Sequence, residues 1–167
     1  MNGKTEKIAP SKYSEWIYVK ESNIHNKGVF AFKDIPKGTK IIEYIGEKIT
    51  KEAAEERLDR DEKNGTVYVF ELDENYDIDG FVGGSDAIYI NHTCNPNSEV
   101  DIIDGKIWII ATKDIKKDEE LSYDYGFDLD EDTLNHKCRC GHTNCIGYLV
   151  NSDKKEELEI MLQKNKQ

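Results

Sequence analysis

Apolar positions along this chain come in short, alternating or β-branched clusters, punctuated by Gly, Asp and Asn, and sustained helical spacing is rare. That rhythm predicts a mainly β fold built from many short strands. Trp16-Ile17-Tyr18-Val19, Gly28-Val29-Phe30-Ala31-Phe32 and Lys40 through Glu47 read as the first three strands, with a Pro36-Lys37-Gly38 turn between the last two. Thr66 to Leu72 alternates, and Asp86 to Ile90 is short and apolar. Val100 to Ile103 is expected to pair with Lys106 to Ala111 across an Asp104-Gly105 hairpin turn.

Two stretches depart from this rhythm. Thr50 stands where it can cap one short internal helix running to about Asp61, with Ala53, Ala54, Arg57 and Leu58 facing inward and an Asn64-Gly65 turn at its end. Asp153, with Glu156 three residues on, forms a capping-box signature ahead of Leu158, Met161 and Leu162 at helical spacing, so a C-terminal helix is expected.

Composition narrows the picture. The 167 residues suffice for one domain with its own core. The nearest approach to a long apolar run, Ile107-Trp108-Ile109-Ile110-Ala111, reads as a buried strand, so no membrane partner is expected. A formal charge of -11 opposes direct nucleic-acid binding, which needs clustered Lys and Arg, and fits a basic partner better. A charge that serves only solubility is the bland alternative. Oligomeric state leaves no signature in this pattern.

All four cysteines fall into one spacing: Cys94 within Asn91-His92-Thr93-Cys94-Asn95-Pro96-Asn97, then Cys138-Arg139-Cys140, then Cys145. Such a set resembles the ligands of a structural zinc site, which takes four soft donors in a tetrahedron. The competing reading is two disulfides in a secreted protein. Neighbouring thiols in a C-x-C are poorly placed to pair with each other, and the polar Met1 to Pro10 stretch shows no apolar signal core.

Five motifs, in order, carry a family resemblance: Ile24-His25-Asn26-Lys27-Gly28-Val29-Phe30-Ala31; Glu43-Tyr44-Ile45-Gly46-Glu47; Tyr68-Val69-Phe70; Asn91 to Asn97; and Glu119-Glu120-Leu121-Ser122-Tyr123-Asp124-Tyr125-Gly126. Together they resemble the signatures of SET-domain protein lysine methyltransferases, and the cysteine cluster resembles that family's zinc-binding post-SET segment. The resemblance implies a SET-domain fold of small curved sheets, in which Asn91 to Asn97 and Leu121 to Gly126 form a knot-like crossing at the active centre. It divides the chain into an N-terminal flank (1–14), a SET domain (15–127) with a helical insert at about 50–64, a post-SET segment (134–150) and a C-terminal helix (151–167).

The implied activity is protein-lysine N-methylation from S-adenosyl-L-methionine, with one structural Zn(2+). By resemblance Tyr125 is the catalytic tyrosine, Tyr44 and Tyr68 match lysine-channel positions, and Tyr123 falls where the family has Phe or Tyr. A hydroxyl at Tyr123 leaves little space for a second methyl, so monomethylation is expected. The implied cofactor contacts are His25, Lys27, Gly28, Tyr68, Asn91, His92 and Arg139, with Leu149 packing beside them. The implied metal ligands are Cys94, Cys138, Cys140 and Cys145, which would staple the tail over the cofactor.

Two departures stand out. Asn26 replaces the first glycine of the family's Gly-x-Gly turn, and Asn tolerates a left-handed backbone better than other non-glycine residues. Ile88 stands where the family commonly has Arg. His136 and His142 read as ordinary surface or core residues. Acidic runs at Glu52 to Glu56, Asp73-Glu74 and Asp128 to Asp132 suit a basic peptide such as a histone tail, though like-charge runs are usually solvated faces. A histone substrate would imply a nuclear or chromatin location. The alternatives are a catalytically weak SET-like module that binds lysine peptides, and a zinc-stapled interaction module of unrelated function.

Overall fold

The computed structural model describes residues 8–64, 66–130 and 133–164. Four small sheets carry the chain, as the short apolar clusters predict. Strands β1 (Ile17–Glu21) and β2 (Lys27–Ala31) form an antiparallel hairpin. The expected third strand breaks in two, β3 (Lys40–Glu43) and β4 (Glu47–Thr50). Gly46 marks the break: a Cβ there would lie 2.3 Å from the Asp79 carbonyl oxygen, so only glycine lets the chain cross that backbone and change sheets.

Helix α1 (Lys51–Asn64) follows. Thr50 caps it as expected, its hydroxyl accepting the Ala53 N–H at 3.4 Å. Its inward face differs from expectation. Ala54 is buried, but Leu58 is 46% exposed, and the helix docks mainly through Arg57 and Arg60 against the buried Asp79. Gly65, half of the expected terminal turn, lies outside the described residues, as do Met1 to Lys7, Glu131, Asp132 and the last three positions.

Of Thr66 to Leu72 only β5 (Val69–Glu71) is strand; it pairs with β6 (Tyr76–Asp79), which also receives β4. Asp86 to Ile90 is not a strand. Asp86–Tyr89 form a 3-10 turn because the Ser85 hydroxyl caps it at the Ala87 N–H and anchors it by donating to the Glu43 carbonyl at 2.6 Å. Then come β7 (Asn91–His92), β8 (Ser98–Ile103) and β9 (Lys106–Ala111). The hairpin between β8 and β9 turns as expected at Asp104 and Gly105, both with positive φ, and β9 also pairs with β3. β10 (Ser122–Tyr123) lies parallel to β7, with Ser122 opposite Asn91 and Tyr123 opposite His92.

The core gathers where these sheets meet. Ile17, Val29, Ile35, Ile42, Ile107, Ile109, Ile115 and Leu121 are fully buried there, each contributing about 1.5–3 kcal/mol relative to exposure. Helix α2 (Lys155–Lys164) packs through Leu158, with Met161 and Leu162 half-buried. The expected capping box does not form. A 3-10 turn, Ser152–Lys154, precedes the helix, and the Asn151 side chain caps that turn at the Asp153 N–H. Asn151 also donates its own N–H to the Phe127 carbonyl at 2.8 Å, tying the tail to the segment that carries Tyr125.

Candidate active site and metal centre

The site grows from the meeting of two distant segments. Besides the β7 and β10 pairing, Thr93 N–H donates to the Tyr123 carbonyl and Asn97 N–H to the Ser122 carbonyl, both at 3.3 Å. The Asn97 side chain accepts the Ser122 N–H at 3.0 Å and donates to the Glu120 carbonyl at 2.8 Å. An Asn side chain supplies both donor and acceptor, so one residue closes both gaps in the crossing.

Asn91 performs a similar task toward the N-terminal hairpin. Its amide donates to the Lys27 carbonyl at 3.0 Å, the His25 carbonyl at 3.4 Å and Glu120 Oε1 at 3.0 Å. The loop that presents those carbonyls turns at Asn26, whose φ of 40° is the left-handed conformation expected there. Gly28 is placed differently from its expected role at a cofactor. It is buried beneath the Glu120 carboxylate, which would lie 2.4 Å from a Cβ at that position.

His92 is buried, and its Nδ1 accepts the Tyr125 N–H at 3.1 Å while Nε2 lies 3.6 Å from Cys94 Sγ. Burial lowers the imidazole pKa, and the nearby Asp124 carboxylate only partly offsets that. The Tyr125 hydroxyl donates to the Ile90 carbonyl at 2.9 Å. Loss of solvation raises its pKa well above that of free tyrosine, so the phenol keeps its proton.

Two cavities share Tyr125. The first, of about 600 Å³, is lined by His25, Lys27, Tyr68, Asn91, His92, Tyr125, Arg139 and Leu149 among others. The structure thus brings together every expected cofactor residue except Gly28. The second, of about 660 Å³, is lined by Phe70, Val100, Tyr125 and the acidic Glu99, Asp101 and Asp124. An aromatic wall extends from Tyr125. Tyr125 lies 4.9 Å from Tyr123, Tyr123 6.3 Å from Phe70 and Phe70 5.3 Å from Tyr44, ring centre to ring centre. Tyr44 lines neither cavity; its hydroxyl donates to the Tyr68 carbonyl at 2.7 Å. Burial raises the pKa of the Tyr44 and Tyr123 phenols, which stay neutral.

His136 and Ile88, read from sequence as an ordinary residue and a departure, both line the first cavity. His136 meets the Phe127 ring edge-on at 6.0 Å, and Ile88 packs against the core. Phe70 has no sequence signal of its own beyond the Tyr68-Val69-Phe70 motif. The backbone N–H that Asp61 accepts, that of Tyr68, lies beyond the end of its own helix, where helical spacing gives no signal.

The four cysteines converge. Their Sγ atoms all lie within 4.8 Å of one another, with Cys94 at 3.7 Å from Cys138 and 3.8 Å from Cys145. A tetrahedral ion with metal–sulfur bonds of about 2.3 Å separates its ligands by roughly 3.8 Å, so the set fits zinc. A disulfide needs about 2.05 Å, and all four thiols are free. Burial pushes Cys94 up to about 11 and Cys138 higher still. Burial also acts upward on Cys140, but the N–H groups of Cys94 and His142, together with the Cys138 and Cys145 thiols, outweigh it and hold that thiol at about 7. A bound cation would reverse the upward shifts at Cys94 and Cys138, since a metal deprotonates the thiols that coordinate it. Asn144 donates to the Cys94 carbonyl at 3.1 Å, a further tie between tail and crossing.

Residues 26–126 match the SET domain family model. The chain is 44% identical over 139 residues to Histone-lysine N-methyltransferase trr of Drosophila melanogaster, covering 78% of this chain and 6% of that protein. It is 39% identical over 140 residues to Histone-lysine N-methyltransferase 2D of Homo sapiens, covering 79% of this chain and 2% of that protein. Against the H3 lysine-4 specific histone-lysine N-methyltransferase of Saccharomyces cerevisiae it is 43% identical over 135 residues, covering 77% and 12%. The chain belongs to the SET domain family. It spans no more than about an eighth of the length of these relatives.

Proposed function

We propose that this chain is a protein-lysine N-methyltransferase that uses S-adenosyl-L-methionine, acts on a histone or another basic protein, and favours monomethylation. The observation that carries the reading is Tyr125, a lining residue of both cavities, one roomy enough for a nucleoside-sized cofactor and the other acidic. Relatives named as histone-lysine methyltransferases, several of them specific for H3 lysine 4, support the same substrate class.

The chemistry requires a neutral amine. A free lysine with pKa about 10.4 is neutral in only about 4 of 10,000 molecules at pH 7, a handicap of roughly 4.6 kcal/mol. A lysine side chain brought against Phe70 and Tyr125, with the buried rings of Tyr123 and Tyr44 packed behind them, would lose water, and that loss disfavours the ammonium. His92 is not the base that removes the proton: Nδ1 is occupied by the Tyr125 N–H and Nε2 faces Cys94. With no side-chain base assigned, the proton passes to solvent water, and desolvation of the amine beside the aromatic rings favours that release.

His25, Lys27, Tyr68, Asn91, His92 and Arg139 would hold S-adenosyl-L-methionine, which when bound supplies a methyl group on a cationic sulfur. Tyr125 positions the reacting end from its hydroxyl, itself fixed by the Ile90 carbonyl. Glu99, Asp101 and Asp124 attract a basic peptide to the other side. Zn(2+) held by Cys94, Cys138, Cys140 and Cys145 would be structural, because four protein ligands leave no open position for a substrate. A histone substrate places the protein on chromatin; among the described residues no helix is long and apolar enough to cross a membrane.

The test is transfer of labelled methyl from S-adenosyl-L-methionine to histones and mixed basic peptides, with mass spectrometry locating and counting the methyl groups. Tyr125→Phe should lower the rate by about 100-fold while the fold persists. Cofactor and peptide binding without transfer would instead favour the lysine-peptide binding module.

A further inference from the structure

Helix α1 carries a buried carboxylate that the chemistry above does not use. Asp61 is 2% exposed, and its Oδ2 accepts the backbone N–H of Tyr68 at 2.7 Å. The other oxygen accepts from Arg60 Nε at 2.8 Å. The Asp61 carbonyl accepts the Thr66 N–H at 2.9 Å, so one residue holds the chain at both ends of the 66–68 stretch.

That stretch is also gripped from the far side. The Tyr68 carbonyl accepts the Tyr44 hydroxyl at 2.7 Å and the Gly80 N–H at 2.9 Å. Arg60 adds a side-chain contact: its guanidinium lies 4.7 Å from the Phe81 ring, which lies 5.6 Å from the Tyr68 ring. Arg60 Nη1 is itself placed by Asp79 at 3.0 Å. Thr66, Val67 and Tyr68 are consecutive lining residues of the first cavity, and Tyr68 sits between that cavity and the Tyr44 hydroxyl.

We propose that Asp61, oriented by Arg60, is a positioning residue for the active site. It fixes the 66–68 wall of the cofactor cavity and, through the Tyr68 carbonyl, the Tyr44 hydroxyl. The inference rests on the methyltransferase reading, since it assigns the first cavity to the cofactor. A carboxylate is suited to the task because a charge-assisted hydrogen bond to a backbone N–H is stronger than a neutral one and keeps its direction when buried. Helix α1 thereby acts on the cavity wall without lining it.

The test compares the wild type with Asp61→Ala, Asp61→Asn, Arg60→Gln and Lys51→Met. S-adenosyl-L-methionine binding is measured by calorimetry, and KM and kcat by labelled transfer to a basic peptide. Asp61→Ala should weaken binding and raise the cofactor KM about tenfold, with kcat at saturation changed by less than about threefold. Asp61→Asn, which keeps an acceptor for the Tyr68 N–H, should recover most of the affinity, and Arg60→Gln should fall between. Lys51 anchors the other end of the same helix to Asp77 at 2.7 Å and to Glu71 at 3.2 Å without touching Tyr68. Lys51→Met should therefore lower Tm yet leave affinity within about twofold.

Unchanged affinity in Asp61→Ala overturns the proposal. So does loss of affinity in Lys51→Met and Asp61→Ala in proportion to their loss of Tm, which would mark a merely structural role. Where Asp61→Ala does not fold, unchanged affinity in Arg60→Gln overturns it equally. A wild type that fails to bind S-adenosyl-L-methionine rejects the methyltransferase reading itself; a wild type that binds while the variants are indifferent rejects only the positioning role.

Discussion

The backbone N–H of Tyr125 donates to Nδ1 of His92 at 3.1 Å, and this contact links the tyrosine between the two cavities to the cysteine cluster. A ring nitrogen that accepts carries no proton, so in a neutral imidazole the proton sits on Nε2, which faces Cys94 Sγ at 3.6 Å. One buried ring therefore fixes the peptide of Tyr125 on one side and touches a sulfur of the four-cysteine cluster on the other. Asn144, Asn151 and the C-terminal tail reinforce the same link.

Removal of the metal should disable methyl transfer before it unfolds the sheets. The core of Ile17, Val29, Ile42 and Ile109 lies apart from the cysteines and needs no ion to pack. On chelation, far-ultraviolet circular dichroism should stay largely β while labelled transfer falls by about 100-fold, and metal analysis of the untreated protein should return about one zinc per chain. Full unfolding on chelation would contradict this division.

Tyr123→Phe should shift the product from monomethyl toward di- and trimethyl-lysine. Its ring is buried between Tyr125 and Phe70, so loss of the hydroxyl opens space inside the aromatic wall rather than at its rim. Mass spectrometry of a single-lysine peptide should show the second transfer accelerated about tenfold relative to the first.

Gly28→Ala should destabilise the protein and weaken cofactor binding together. The new Cβ would meet Glu120 Oε1 at 2.4 Å and Ser22 Cβ at 2.9 Å. Glu120 cannot simply swing aside, because the same oxygen accepts from Ser22 at 2.6 Å and from Asn91 at 3.0 Å. Denaturant unfolding should show a loss of about 1–3 kcal/mol.

Asp79 should govern part of the acid response. It is fully buried; burial acts to raise its pKa, but Arg60, the Phe81 N–H and Arg57 outweigh that and hold it below the ordinary 3.8. The folded value is thus the lower one, so the stabilisation is complete above the unfolded value and is lost as pH falls through the folded one. The unfolding free energies of wild type and Asp79→Asn should differ by about 3 kcal/mol near pH 7, and the gap should narrow below about pH 4. Denaturant titrations across that range check it.

Much of the site was legible because its signals are local. Asp104-Gly105 between two β-branched runs specifies a hairpin within four residues, and the cysteine spacing names a donor set whatever path the chain takes. Asn26 stands where the family resemblance implies a glycine turn, Asn tolerates the left-handed backbone that such a turn needs, and the turn is there. The illegible parts all depend on partners far along the chain. The Lys40 to Glu47 run breaks because Gly46 passes over the backbone at Asp79, and Leu58 stays exposed because α1 is held by arginines reaching Asp79 rather than by its apolar residues.

By itself, then, the order of residues determined a mainly β chain, the ordered motifs of the SET domain family, and which side chains are fit to hold a metal or wall a channel. Only the tertiary structure decided the 3.7 Å spacing at which Cys94 meets Cys138, 44 positions away; that Gly28 lies under Glu120; and that Asp61 grips Tyr68. Propensity and periodicity act over a few neighbours, whereas these contacts exist only after remote strands have packed and excluded water between them.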